Sequence, residues 1–171
     1  MPKSLADARI MLLASTTKPA NVKAATVSEL TAAGVVNLMC FINKTDYKLG
    51  ATGNDSVDEI EGCKKGKGNA PGPATYEGSV TAFWYLDESG KPVVEEMKGW
   101  DLLKEDGATL YLFEFEPKSE GDSIVAADEY EYYEVVTGTA QPPSDRFSGY
   151  IKRTVPLFVQ DHQHGVVAAG A

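Results

Sequence analysis

Cysteine and histidine are nearly missing from this 171-residue chain, which holds only Cys40, Cys63, His162 and His164. Two isolated thiols make no disulfide framework, so the fold has to stand on its hydrophobic core. A chain of this length buries roughly 70% of its unfolded surface, enough for one domain over residues 1–171. So small a stock of imidazole and thiol offers few candidates for a metal cage or a nucleophile and base, and no cofactor is expected. Basic residues are also short. The 16 Lys plus Arg face 25 Asp plus Glu, a formal charge of -9, which argues against a surface that grips nucleic-acid backbone. The first apolar run, Ile10 to Ala14, is too short for a spanning helix or a secretory core, and Asp7 and Arg9 precede it. Cytosolic synthesis is expected, with no membrane partner and with the Asn43 and Asn54 sequons unglycosylated.

What is present points to strands. Thr26 and Glu29 have capping-box spacing, and Gly34 offers a left-handed stop, so a short helix should precede a strand from Val35 to Asn43. The continuous apolar character of Val35 to Ile42 suggests a strand covered on both faces, the second cover being another subunit. Further strands are expected at about Ala6 to Ser15, Thr75 to Leu86, Gly107 to Glu116, Asp128 to Val136 and Phe147 to Val159. Tyr111, Phe113 and Phe115 should face away from Leu112, Glu114 and Glu116. Alternation slips near Tyr132 and Tyr133, as a bulge would produce, and Arg153 interrupts the apolar face of the last strand. A second helix is expected over Val93 to Lys104, opened by Pro92 and weakened by Gly99. Between Lys44 and Ala74 a Gly-, Asn- and Lys-rich stretch reads as a long loop or an outward hairpin, and Gly165 to Ala171 as a tail with nothing to pack. The fold class is mostly β, a sandwich or barrel with one or two short flanking helices.

Candidate chemistry is thin. His162 and His164 would share a face near Asp161, but two imidazoles at a chain end read better as polar decoration than as ligands. Gly62 to Gly68, GCKKGKG, misses the phosphate-loop spacing, and no Ser or Thr follows Lys67. Glu114 with Glu116 and Glu129 with Glu131 lie in rows along strands rather than across a cleft, which weakens a carboxylate hydrolase. A β-sandwich module for carbohydrate or protein remains an alternative, with Trp84, Trp100, Tyr130, Tyr132 and Tyr133 stacking on sugar rings or else filling a core.

Four segments stand out over about Arg9 to His162: TVSELTAAG before a Cys-containing strand, the TDYKLGATGNDSVDE run, YEGSVTAFWYL, and VTGTAQPPSD before the final strand. Taken together they resemble the major tail tube proteins of long-tailed bacteriophages of the siphovirus type, above all those of actinobacteria. The resemblance implies a β fold like that of the type VI secretion tube and a non-enzymatic virion protein. Its copies would form hexameric rings that stack into a hollow tube, through which DNA passes without specific binding. It implies partners too: further copies, a tape measure protein, a tail initiator and a tail terminator. Assembly would take place in the host cytoplasm, ahead of residence in the virion tail. On that footing Lys44 to Ala74 is a ring-stacking arm, with Tyr47, Leu49, Lys64, Lys65 and Lys67 as contacts, and Glu114, Glu116, Glu129 and Glu131 face the lumen.

Overall fold

The computed structural model describes residues 9–59 and 68–169. Its strands are β1 (Met11–Ser15), β2 (Val36–Asn37), β3 (Lys48–Glu59), β4 (Gly68–Phe83), β5 (Thr109–Phe115), β6 (Glu129–Thr137) and β7 (Lys152–Val166), and its helices α1 (Val27–Leu30) and α2 (Lys98–Leu103). The fold is mostly β with two short helices. All strands join one antiparallel sheet in the order β2-β1-β5-β6-β7-β4-β3. β7 couples its two parts: the first residues pair with β4, from Phe83↔Lys152 to Ser79↔Pro156, and the rest with β6, from Thr137↔Leu157 to Glu129↔Val166. The sheet curls until one stretch of chain touches both sides. Val36 and Asn37 pair with β1, while Asn43 donates its N–H to the Thr81 carbonyl and Phe83 donates to that of Phe41.

Two cores result, one on each face of β5 and β6. Inside the curl lie Leu12, Leu38, Leu112, Tyr133, Val135 and Val155; under α1, on the other face, lie Leu13, Leu30, Phe113, Phe115, Tyr130 and Tyr132. Each such side chain taken from water contributes roughly 1.5–3 kcal/mol against the entropy of ordering it. β5 follows the expected period of two. No bulge falls at Tyr132 and Tyr133, because β6 keeps an unbroken register with β5 from Thr109↔Val136 to Glu114↔Glu131. Adjacent tyrosines are both buried simply because both faces are covered. The irregularity lies at Glu134/Val135 against β7, where Gln160 is the extra residue.

Local polar chemistry redraws several expected elements. The Thr26 and Glu29 box forms, with the Glu29 carboxylate accepting from the Thr26 N–H at 2.8 Å. The helix ends at Leu30 with Thr31 as its cap, and Gly34 does not adopt a left-handed conformation. Of the strand expected from Val35 to Asn43, only β2 and an isolated bridge from Ile42 to Ala82 form. The Asn37 side chain accepts from the Met39 N–H, and that of Asn43 from the Thr45 N–H, turning the backbone into 3-10 turns at Leu38–Cys40 and Lys44–Asp46. Leu38 and Ile42 fill the chain's own core.

Most of the described residues of 44–74 lie in the paired strands β3 and β4. β3 and β4 pair from Lys48↔Ser79 to Glu59↔Gly68, with two irregularities. Pro92 opens no helix but bridges to Leu86, so α2 is shorter than expected. Its Gly99 is required by contact: a Cβ there would lie 2.5 Å from the Phe41 Cβ. β1 starts at Met11, residues 6–8 lying outside the described ones. β7 begins later than Phe147 and runs on through both histidines, and Arg153 places its guanidinium 5.6 Å from the Trp84 ring centre. The stretch from Gly165 is tied down, not loose. Val167 is buried, and the Ala168 N–H donates to the Ala25 carbonyl at 2.9 Å; residues 170–171 lie outside the described ones.

Candidate functional site: an acidic row beneath a two-stranded arm

Strand pairing brings the four glutamates together. Glu114 and Glu131 are direct neighbours across β5 and β6, two residues along from Leu112 and Tyr133 on the inner face. With Glu116, Glu129, Tyr130 and His164 they line a depression of about 160 Å³. The carboxylates differ in state. Glu114 is half-buried and accepts a hydrogen bond from the Tyr47 hydroxyl. Burial pushes its pKa above the usual carboxylate range; the Tyr47 bond pulls it down, and the charges of Glu116 and Glu131 push it up again. Burial and the Glu114 charge drive the Tyr47 phenol far above its ordinary range, so it stays the donor. The same causes, burial first, push Tyr133 up to about 12.

Glu131 gathers both histidines. His162 Nε2 lies 2.7 Å from one of its oxygens and His164 Nδ1 3.0 Å from the other, while the Tyr76 hydroxyl sits 3.2 Å from His162 Nδ1. His162 and His164 do share a face, as expected of an extended segment, yet their partner comes from β6 rather than from Asp161. Among the described residues no group of three or more His, Cys, Asp or Glu side chains could hold a metal ion. The hydrogen bond to Glu131 raises the His164 pKa. A raised imidazole pKa stabilises the fold below its unfolded value and loses that contribution as pH rises through the folded one. Replacing His164 with glutamine should therefore lower the melting temperature at about pH 5.5 and leave it unchanged at about pH 8.5. Differential scanning fluorimetry of both proteins across that range checks this; an equal loss at both ends would assign His164 to packing alone.

The arm is anchored here. Tyr47 and Leu49, expected as outward contacts, pack against the core inside the curl together with Tyr76. Tyr47 holds Glu114 and Tyr76 reaches His162, so the base of the ribbon is fastened to its own subunit at the acidic row. Beyond the Ala51↔Tyr76 pair it leaves the body, with 51–56 exposed throughout. Lys64, Lys65 and Lys67 lie outside the described residues, as does Cys63; Cys40 is a free, exposed cysteine, its thiol pushed up to about 11 by burial and a hydrogen bond to Glu120.

Sugar stacking loses its three tyrosines. Tyr130, Tyr132 and Tyr133 are 2%, 0% and 5% exposed, and Trp84 and Trp100 pack on each other with ring centres 5.3 Å apart. Sequence patterning alone did not reveal the two histidines as partners of the acidic row. Their period-two spacing was visible, but its meaning depends on the β6–β7 register.

A curled antiparallel sheet with a long two-stranded ribbon and a carboxylate row places the chain among the mostly-β proteins. The chain belongs to the phage tail tube protein family, which it matches over residues 1–171. Its role is thus structural, in the tail tube of a phage virion. No curated protein matches it. Among the described residues no helix is long and apolar enough to cross a membrane.

Proposed function

We propose that copies of this chain form hexameric rings that stack into the hollow tube through which phage DNA passes, with the arm of each copy engaging the next ring. The arm itself carries the proposal. An isolated two-stranded ribbon is marginal in water, and among the described residues 51–56 of this one are exposed throughout, so a neighbour supplies its cover. The acidic row faces the lumen, Glu116 and Glu129 outermost and Glu114 and Glu131 behind them, so that DNA phosphates meet like charge and slide without adhering. Because each copy carries -9, free subunits repel one another. Growth starts on a tail initiator along a tape measure protein and stops at a terminator, in the host cytoplasm.

The test is negative-stain electron microscopy over a concentration series, beside a variant whose residues 52–75 are replaced by an Asn-Gly turn joining Ala51 to Tyr76. The native chain should give hollow filaments of regular repeat, and the variant folded but non-filamentous protein. Filaments from the shortened variant would contradict the arm's role.

A further inference from the structure

We infer that the aromatic, basic corner at 145–153 is the seat for the arm of a second copy; this rests on the stacked-tube proposal and names the surface its arm meets. Phe147 is 102% exposed, Tyr150 81% and Ile151 47%. Tyr150 also meets the Phe83 ring edge-on, with centres 6.0 Å apart, and joins Phe83, Trp84 and Tyr85 around an apolar cavity of about 340 Å³. So much aromatic surface left in water marks a contact site.

Charge and topology select the occupant. Within 145–153 Arg146, Lys152 and Arg153 outnumber Asp145, while strand β3 of the arm carries Asp55, Asp58 and Glu59 against Lys48 alone, so that strand of a second copy meets attraction at this corner. β7 begins here at Lys152 and ends beside the acidic row. β4 pairs with the start of β7 through its own last residues, 79–83, so its earlier residues and β3 run toward the other end, where Tyr76 meets His162. Arm and corner therefore lie at opposite ends of one protomer, which yields a head-to-tail contact that repeats along an axis. The arm presents exposed Ala70, Pro71, Pro73 and Asp55. Proline rings and methyl groups pack on aromatic faces, and Asp55 is drawn to the cations. Corner against corner would set Arg146 and Lys152 against their own copies.

The test begins from the full chain with Cys40 and Cys63 changed to serine and Pro73→Cys and Phe147→Cys added. Mild oxidation of its filaments should yield a disulfide-linked ladder on non-reducing gels, either cysteine alone giving no more than dimers. Separately, Phe147→Ala with Tyr150→Ala should raise the critical concentration for assembly about tenfold or more, with an unchanged melting temperature because both rings are exposed. Filaments that show no ladder, or an unchanged critical concentration, would overturn the inference and leave the tube standing. Failure of the native chain to form filaments at any concentration or with tail seeds would overturn the tube proposal, and this inference with it.

Discussion

Changing Gly165 to alanine is expected to destabilise the protein by about 3 kcal/mol, seen as a melting temperature about 6–12 °C lower for a chain of this size. The reason is a locked neighbour. A Cβ at this position would lie 2.4 Å from Tyr130 Cζ and 2.6 Å from its hydroxyl, inside any permissible contact. Tyr130 cannot step aside. Its hydroxyl accepts from the Ala25 N–H at 2.9 Å and donates to the Val22 carbonyl at 2.9 Å, and its ring packs against Phe113 and Phe115 with centres 5.6 Å away. Relief would cost either the two hydrogen bonds that pin 22–25 or the core beneath α1. Gly34→Ala is the control: nothing lies within 4 Å of a Cβ there, so the change should stay within about 0.5 kcal/mol. Equal melting temperatures for the two variants would show that Tyr130 is not held as described.

Tyr47→Phe is expected to cost about 2 kcal/mol at neutral pH and to loosen the arm at its base. Removing the hydroxyl leaves the half-buried Glu114 carboxylate without its donor, beside the charges of Glu116 and Glu131. The loss has a pH signature. Burial raises the Glu114 pKa in the folded state, so the protonated form is favoured there and stability attached to it is lost as pH rises through the folded value. Without the Tyr47 bond, which lowers that pKa, ionisation becomes harder still. The variant's deficit should then shrink as pH falls toward about 4, where Glu114 is neutral. Glu114→Gln in the same chain should remove most of the deficit at neutral pH. Hydrogen exchange of 48–52 and 76–79 should quicken in Tyr47→Phe and recover in the double variant; a pH-independent loss without rescue would assign Tyr47 to packing alone.

What the sequence disclosed and what it hid divide along physical lines. The capping box at Thr26 and the two faces of β5 were legible because each depends on residues close in the chain. The stretch at 44–74 stayed open between a loop and an outward hairpin, since Gly, Asn and Pro leave no apolar alternation to read, and pairing with β4 makes those strands. Val35 to Asn43 misled for the opposite reason: an apolar run proposed a strand, while Asn37 and Asn43 offered the backbone turns that won. At the site, Glu114, Glu116, Glu129 and Glu131 were singled out by strand patterning. The histidines beside Glu131 and the tyrosines that fasten the arm depend on registers between strands far apart in sequence. Tyr47 and Leu49 consequently moved from expected outward contacts to the ribbon's own anchor.

A hollow tube lined by the acidic row would be seen outright by electron cryomicroscopy of assembled filaments at side-chain resolution. The expected result is hexameric rings around an open bore, with Glu116 and Glu129 on its wall. A filament without a bore, or one whose wall is formed by α1 with the four glutamates outside, would contradict it.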